Sequence, residues 1–394
     1  MRDGWKITCL GNLVDIKTGK LDANAMVVGG TYPFFTCAKE IYSIDKYAFD
    51  CEAILLAGNN ASGDFNVKYY NGKFNAYQRT YVITVKDETA LHYKYLMHLL
   101  INNLKTFKEE SLGTNTKFLK IGMIQNMKIP LPPFSAQEHI VEILDKAFAA
   151  IDKAKANIEK NLQNTKALFD SYLQNILINK GKDWETSKLV EVTTKIGSGA
   201  TPLGGGKAYK NTGMSLIRSL NIYDNEFRDK DLAFIDDNQA SKLNNVVVEE
   251  DDVLFNITGA SIARCCLVPK ETLPARVNQH VSIIRVKKEI ILPKFAQLSL
   301  ISQDNKKQLL KTGEAGATRQ AITKAQLEEF RISYPKSMDL QKTIVNKIIA
   351  VYFKTKNLEK VYRKKVDDLE ELKKSILQKA FTGELTTATK TLIT

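Results

Sequence analysis

Two stretches of this 394-residue chain, residues 134–180 and 336–382, contain neither glycine nor proline, although the chain carries 21 glycines and 9 prolines. These are the residues that a helix interior excludes most strongly, so each window predicts one long helix. The apolar spacing agrees. In the first window Ile140, Leu144, Ala147, Ile151, Ala154, Ile158, Leu162, Thr165, Leu168 and Tyr172 step by threes and fours. In the second, Ile344, Ile348, Val351, Thr355, Leu358, Tyr362, Val366, Leu369, Leu372 and Ile376 do the same. A narrow stripe sustained over so many turns is coiled-coil spacing. At 1.5 Å per residue, about 40 residues of each window give about 60 Å of helix.

The rest of the chain has the opposite character. Residues 1–133 and 181–335 hold every proline and every glycine except Gly383. Their β-branched and aromatic runs, such as YVITV at 81–85 and VSIIRV at 281–286, read as strands. These are compact mixed α/β domains, each followed by one long helix. The halves also repeat. Trp5 and Leu10 are mirrored by Trp184 and Leu189. Gln78, Val82, Val85, Lys86 and Glu88 correspond to Gln279, Ile283, Val286, Lys287 and Glu289 at a constant offset of 201. Ser171, Leu173 and Gln174 match Ser375, Leu377 and Gln378. The order domain, helix, domain, helix is a duplication whose domain middles have diverged. The expected boundaries are 1–133, 134–180, 181–335 and 336–382, with a tail at 383–394.

Composition narrows the class. Lys plus Arg number 57 against 44 acids, a formal charge of +13, and nucleic acid is the leading partner for such an excess. No apolar run approaches the length of a spanning helix and the N-terminus lacks a signal pattern, so a cytoplasmic protein is expected. Cys9, Cys37, Cys51, Cys265 and Cys266 form no C-x-x-C pair, which argues against structural zinc or a disulfide framework.

The motifs, taken in order, resemble the DNA-sequence specificity subunits of type I restriction–modification systems. They are IGSGATP at 196–202, NQHVSIIRV at 278–286, GATRQAITKAQLEEFRIS at 316–333 with its counterpart GTNTKFLKIGMIQNMKIPLPP at 113–133, and LQKAFTGEL at 377–385. The resemblance implies an α+β chain with two tandem target-recognition domains, its long helices packed as an antiparallel coiled coil. It implies a subunit that performs no chemistry and binds no cofactor. Such a subunit carries two methyltransferase subunits, and two restriction–translocase subunits in the full complex, to a bipartite double-stranded DNA site. Each domain would read one half-site, and the helices would set the unread gap.

Direct readout needs side chains that match base edges, Arg for guanine and Asn or Gln for adenine. The candidates in the first domain are Asn59, Asn60, Lys68, Asn75, Tyr77, Gln78 and Arg79. Those in the second are Arg218, Asn221, Arg264, Asn278, Gln279 and His280. Ser198 and Thr201 lie in a Gly-rich loop whose amides suit phosphate, and Lys117 and Arg319 occupy equivalent places in the Gly-led loops. Ordinary turn and surface chemistry is the competing reading for each. The regional charge is a weak guide: the two domains carry +4 and +3, whereas the second helix window carries +6 around Lys354, Lys356, Lys360, Arg363, Lys364 and Lys365. A solvated helix face explains that cluster equally well.

An active site was sought as well. LPPF at 131–134 has Leu131 where an amino-methyltransferase needs a polar residue, and no cofactor fingerprint accompanies it. Pro130, Pro132 and Pro133 read instead as a stop before the helix. The Gly-rich stretch ending at Lys207 fails the phosphate-loop spacing. The acidic run 249–252 reads as a turn, and His92, His98, His139 and His280 lack metal-ligand pairing. No catalytic and no metal-binding residue is assigned. Two alternatives stay open: a stand-alone DNA methyltransferase or nuclease with unrecognised motifs, and a coiled-coil interaction protein.

Overall fold

The computed structural model describes residues 4–314 and 321–385. The two windows without glycine or proline form helices of 45 residues each, Phe134–Ile178 and Met338–Thr382. The first starts where Pro133, which has no N–H to leave unpaired, accepts the amides of Ala136 and Gln137 at 2.9 and 3.1 Å. At the second, the Ser337 hydroxyl accepts the amide of Leu340 at 3.2 Å, a side-chain cap on an otherwise orphaned donor. The chain forms two compact units. One comprises the residues up to Glu159 and those from Arg363 onward, and the other spans Lys160–Tyr362.

The first unit contains β1 (Lys6–Cys9), β2 (Val14–Thr18), β3 (Tyr32–Phe35), β4 (Tyr42–Ile44), β5 (Phe49–Ala57), β6 (Asn59–Asn60), β7 (Val67–Ala76), β8 (Thr80–Val85), β9 (Lys117–Phe118) and β10 (Lys128–Leu131). Six of them form one sheet in the order β2-β8-β5-β7-β3-β4, and β1 pairs with β10 and β6 with β9. Its core joins Leu10, Ile54, Ile83, Tyr95 and Leu99 to Ile140 and Leu144 of the first long helix and to Leu377 and Ala380 of the second. In this unit the helices run antiparallel: Lys155 pairs with Glu370 at 2.6 Å and Lys373 with Asp152 at 3.3 Å. Buried His98 adds a polar tie, its Nε2 lying 2.9 Å from Asp145, which also holds Lys94 at 2.9 Å. Burial pushes the His98 imidazole below its usual range, against the pull of the Asp145 carboxylate.

The second unit contains β11 (Trp184–Lys188), β12 (Thr193–Ser198), β13 (Met214–Ile217), β14 (Ile222–Tyr223), β15 (Glu226–Phe227), β16 (Ala233–Ile235), β17 (Val247–Val248), β18 (Val253–Asn256), β19 (Cys265–Leu267), β20 (Ala275–Val277), β21 (Val281–Val286) and β22 (Arg331–Pro335). They build sheets in the orders β12-β21-β18-β19 and β16-β13-β20-β17, with β11–β22 and β14–β15 as separate pairs. The core of Val253, Phe255, Ile284, Phe295 and Ile332 takes in Leu173 of the first long helix and Ile344 and Ile348 of the second. Phe169 meets Tyr352 edge-on at 5.3 Å. The acidic run is a turn that buries Asp252 completely, and Arg285 grips that carboxylate with Nε and a terminal nitrogen, both at 2.8 Å. The bidentate geometry offsets the cost of taking the charge out of water.

The units share one frame. In the first, Ile16 of β2 and Ile54 of β5 flank Ile83 of β8. In the second, Ile196 of β12 and Val253 of β18 flank Ile284 of β21. Residue 83 plus the offset of 201 is 284, so the repeat seen in the sequence is a repeat of register. The helix stripes hold less strictly. Leu168, Leu358 and Leu372 are 54%, 40% and 47% exposed, and Phe169, Leu173 and Leu377 pack in their stead. A straight helix drifts from a seven-residue repeat, and packing against the domain selects the inward residue.

Each unit is fastened to its long helix by a fully buried glutamine near that helix's start. Gln137 accepts the amide of His92 at 2.9 Å and donates to the carbonyls of Ala90 and Pro132 at 2.8 and 3.0 Å. Gln341 repeats all three bonds, accepting from Leu292 at 2.8 Å and donating to Ile290 and Pro335 at 2.9 and 2.8 Å. Truncation strands buried backbone groups, each costing about 1–3 kcal/mol. Gln137→Ala is expected to destabilise the first unit by about 2–4 kcal/mol and Gln341→Ala the second, with exposed Gln378→Ala changing stability by less than about 0.5 kcal/mol. Hydrogen exchange resolved by unit checks this, and equal loosening of both units by either variant would count against the clamp.

Candidate nucleic-acid interface

One strand end recurs in both units and gathers most of the polar candidates. After β2 and after β12 stands a glycine, Gly19 or Gly199, pressed against a backbone carbonyl. A Cβ on Gly19 would lie 1.7 Å from the Ala76 oxygen, and one on Gly199 would lie 1.7 Å from the Val277 oxygen. Any side chain is excluded there, because the opposing atom is backbone. Residues 76 and 277 again differ by 201. Each glycine thus sets a loop, 20–31 or 200–213, beside the turn that leads into β8 or β21.

In the second unit this contact is extended by hydrogen bonds. The Gly199 amide donates to the Asn278 carbonyl at 3.2 Å and the Thr201 amide to Gln279 Oε1 at 2.7 Å. That bond fixes the Gln279 amide's orientation, so its NH2 faces His280 Nε2 at 3.3 Å. An amide nitrogen has only donors, so Nε2 accepts, and the ring proton on Nδ1 goes to the Thr258 hydroxyl at 2.6 Å. Thr201, Gln279, His280 and Thr258 therefore form one connected polar rim. Ser198 is exposed at the end of β12 within the same loop. Arg264 leaves the same strand end half-buried, its guanidinium 5.0 Å from the Tyr223 ring centre, with that of Arg228 at 3.6 Å.

The first unit builds its rim differently. Gln78 donates its backbone amide to Leu21 at 2.9 Å and its side-chain amide to Asp22 at 2.6 Å. Tyr77 is half-buried and bridges to Leu21, while Arg79 is exposed and makes no hydrogen bond or ion pair through its guanidinium among the described residues. Asn59 and Asn60 pair with Phe118 and Lys117 in the β6–β9 ladder, which brings Lys117 to the same edge.

Several candidates serve the fold instead. Asn75, Asn221 and Asn278 are buried. Asn75 donates to the Lys46 carbonyl at 2.9 Å and Asn221 to the Arg228 carbonyl at 2.8 Å, while Asn278 accepts the His280 amide at 3.1 Å. The Asn75 and Asn221 amide groups thus donate to backbone carbonyls, and Asn278 uses its carbonyl oxygen on a backbone amide. Asn60 accepts the amide and hydroxyl of Ser62 at 2.8 and 2.9 Å, closing a local turn. Lys68 donates to the Ala38 carbonyl and to Asn66, and burial pushes its ammonium below the usual lysine range. Arg218 reaches the Asp231 carbonyl and lies 5.1 Å from the Tyr209 ring centre. Arg319 lies outside the described residues. Reasoning from sequence missed Gly19, Thr258, Tyr223 and Arg228; IKTGK at 16–20 is the first-half counterpart of IGSGA at 196–200, and Ile16 and Ile196 were the available signal.

Among the described residues no group of three or more His, Cys, Asp or Glu is placed to hold a metal ion. The five cysteines are unbridged, and burial pushes the Cys266 thiol up to about 12. No described helix is long and apolar enough to cross a membrane.

Comparison with known proteins places this geometry. The sequence profile of the type I restriction modification DNA specificity domain matches residues 2–164 and again 181–367. The EcoDI specificity subunit of Escherichia coli is 44% identical over 156 residues, which are 40% of this chain and 34% of that protein, so the match spans about a third of that relative's length. The EcoBI specificity subunit of the same species is 26% identical over 82% of this chain and 72% of its own. The MjaVIII specificity subunit of Methanocaldococcus jannaschii is 23% identical over 97% of this chain and 93% of its own. A chain from a structural study of type I R-M system assembly and conformational transition has the same fold, with a TM-score of 0.78 at 17% identity over 97% of this chain and 99% of that one. The HsdS subunit from Thermoanaerobacter tengcongensis superposes with a TM-score of 0.57 at 16% identity, covering 98% of each chain. With one profile match on each repeat, the chain belongs to the type I restriction modification DNA specificity family, whose role is DNA sequence recognition rather than catalysis.

Proposed function

We propose that each recognition domain, residues 1–133 and 181–335, reads one half of a bipartite asymmetric DNA target in the cytoplasm. The long helices at 134–180 and 336–382 set the unread gap and dock two methyltransferase subunits, and two restriction subunits join in the full complex. The observation that carries this reading is the frame built twice: the same glycine-to-carbonyl contact holds loops of different sequence beside turns of different sequence. A shared frame with divergent loops is what two unlike half-sites require. Gln78, Arg79, Asn59 and Lys117 are the proposed contacts of the first half-site. Ser198, Thr201, Arg264, Gln279 and His280 are those of the second. The EcoDI and EcoBI proteins are specificity subunits of type I restriction enzymes, which supports the same assignment here.

The deciding experiment is methylation mapping of host DNA by single-molecule sequencing. Exchanging residues 1–133 for the matching segment of a relative is expected to change one half of the methylated motif and leave the other. A change in both halves, or in neither, would falsify the modular reading. Gly199→Ala is expected to abolish methylation that depends on the second half-site, because the new Cβ would collide with the Val277 carbonyl; unaltered methylation would remove the loop from recognition. Inserting one heptad into the first long helix should lengthen the gap without altering either half-site.

A further inference from the structure

The two most exposed large apolar side chains among the described residues are Val28 at 97% and Leu203 at 95%, with Phe353 next at 66%. They belong to the two equivalent loops, 20–31 and 200–213, that leave Gly19 and Gly199. Both sit at the corner of the same kind of tight turn. The Gly30 amide closes on the Val27 carbonyl at 3.1 Å, and the Gly205 amide on the Pro202 carbonyl at 3.0 Å. In each turn the residue after the apolar one is a left-handed glycine, Gly29 at φ +79° and Gly204 at φ +93°. A turn whose third position has positive φ needs glycine there and holds its second side chain outward. Gly30 cannot carry a side chain either, since a Cβ there would meet the backbone of Ile44 at 2.6 Å. The second loop therefore projects one apolar group, Leu203, into water, whereas in the first Met26 at 47% and Val27 at 40% are exposed beside Val28.

We infer that Leu203 is a specificity-determining residue that makes apolar contact with a thymine 5-methyl group in the half-site read by the second domain. The inference rests on the proposed DNA reading and assigns to it a residue that hydrogen-bond logic overlooks. Three observations favour a base over a protein surface. Leu203 lies two residues from Thr201, whose amide is fixed to Gln279 at 2.7 Å, so the apolar tip and the polar rim belong to one element. A hollow of about 330 Å³ beside the tip is lined by Ala200, Thr201, Pro202, Gln239, Lys242 and Leu243, so an amide and an ammonium group stand beside the apolar tip among apolar neighbours. The same loop carries Lys207, an exposed cation. An apolar side chain standing beside donors and cations is the chemistry of a thymine contact in the major groove. A protein-docking surface would cluster apolar side chains with few charges at its centre.

The test uses the full chain assembled with the methyltransferase subunit, measuring affinity for duplexes that carry the host's methylated motif. A second set of duplexes replaces thymines with deoxyuridine one at a time, which removes only the methyl group. Leu203→Ala is expected to weaken specific binding about tenfold and leave non-specific binding unchanged. Deoxyuridine at one position of the same half-site should weaken the parent complex equally and have no added effect on the variant. The melting temperature should not move, because the Leu203 side chain is 95% exposed. Unchanged specific affinity, equal weakening on non-specific DNA, or loss of methyltransferase binding would each overturn the inference, the last by assigning the tip to a protein contact. A parent complex with no sequence preference would instead fail the underlying DNA reading, and the two results are told apart before any variant is made.

Discussion

A buried glutamine at the base of each long helix is the joint on which the rest depends. A glutamine side chain has one acceptor and two donors at the end of a flexible stem, so one residue can satisfy three backbone groups from two directions. Gln137 and Gln341 use that capacity identically, bonding to the segment before a domain helix and to the carbonyl of a proline ahead of the long helix. Every partner is backbone. The joint is therefore indifferent to the side chains around it, which are His92 and Ala90 in one unit and Leu292 and Ile290 in the other. A buried amide left unpaired would be costly, so the joint also resists slipping by one residue.

The same independence from side chains governs the recognition end. Gly19 and Gly199 meet carbonyl oxygens at a distance no other residue tolerates, and the sequences beyond them are free to differ. Even the equivalent glutamines of the two turns work by opposite ends: Gln279 accepts from the Thr201 backbone, whereas Gln78 donates to the Asp22 carboxylate. Position is kept and chemistry is exchanged. On the proposed reading, two unlike half-site readers on one frame need that separation, and duplication followed by divergence of the loops supplies it.

Long-range order was legible in the sequence and local chemistry was not. The gaps in glycine and proline mark helices that end within two residues of the windows, because backbone preference dominates where a helix is long. The offset of 201 between the halves survives as strand register at Ile83 and Ile284, because a one-residue slip would turn a buried face outward. Residue type alone could not separate exposed amides from buried ones. Asn75, Asn221 and Asn278 carry the group that can pair with adenine, but the same amide satisfies a bent backbone equally well, and all three are buried. Gly19 was invisible because its neighbours differ from those of Gly199, and the steric demand that makes them equivalent comes from a carbonyl more than fifty residues away.

Charge follows a related logic. The second unit pairs several of its cations internally: Arg285 is held by Asp252 and Glu249, Lys306 by Asp224, Lys288 by Asp251, Lys210 by Asp236 and Arg228 by Glu226. Several of these pairs join separate segments of the unit, so they work as internal fasteners rather than as a field for phosphate. On the proposed reading, what this chain contributes is geometry: donors, acceptors and an apolar tip at Leu203, held by backbone contacts.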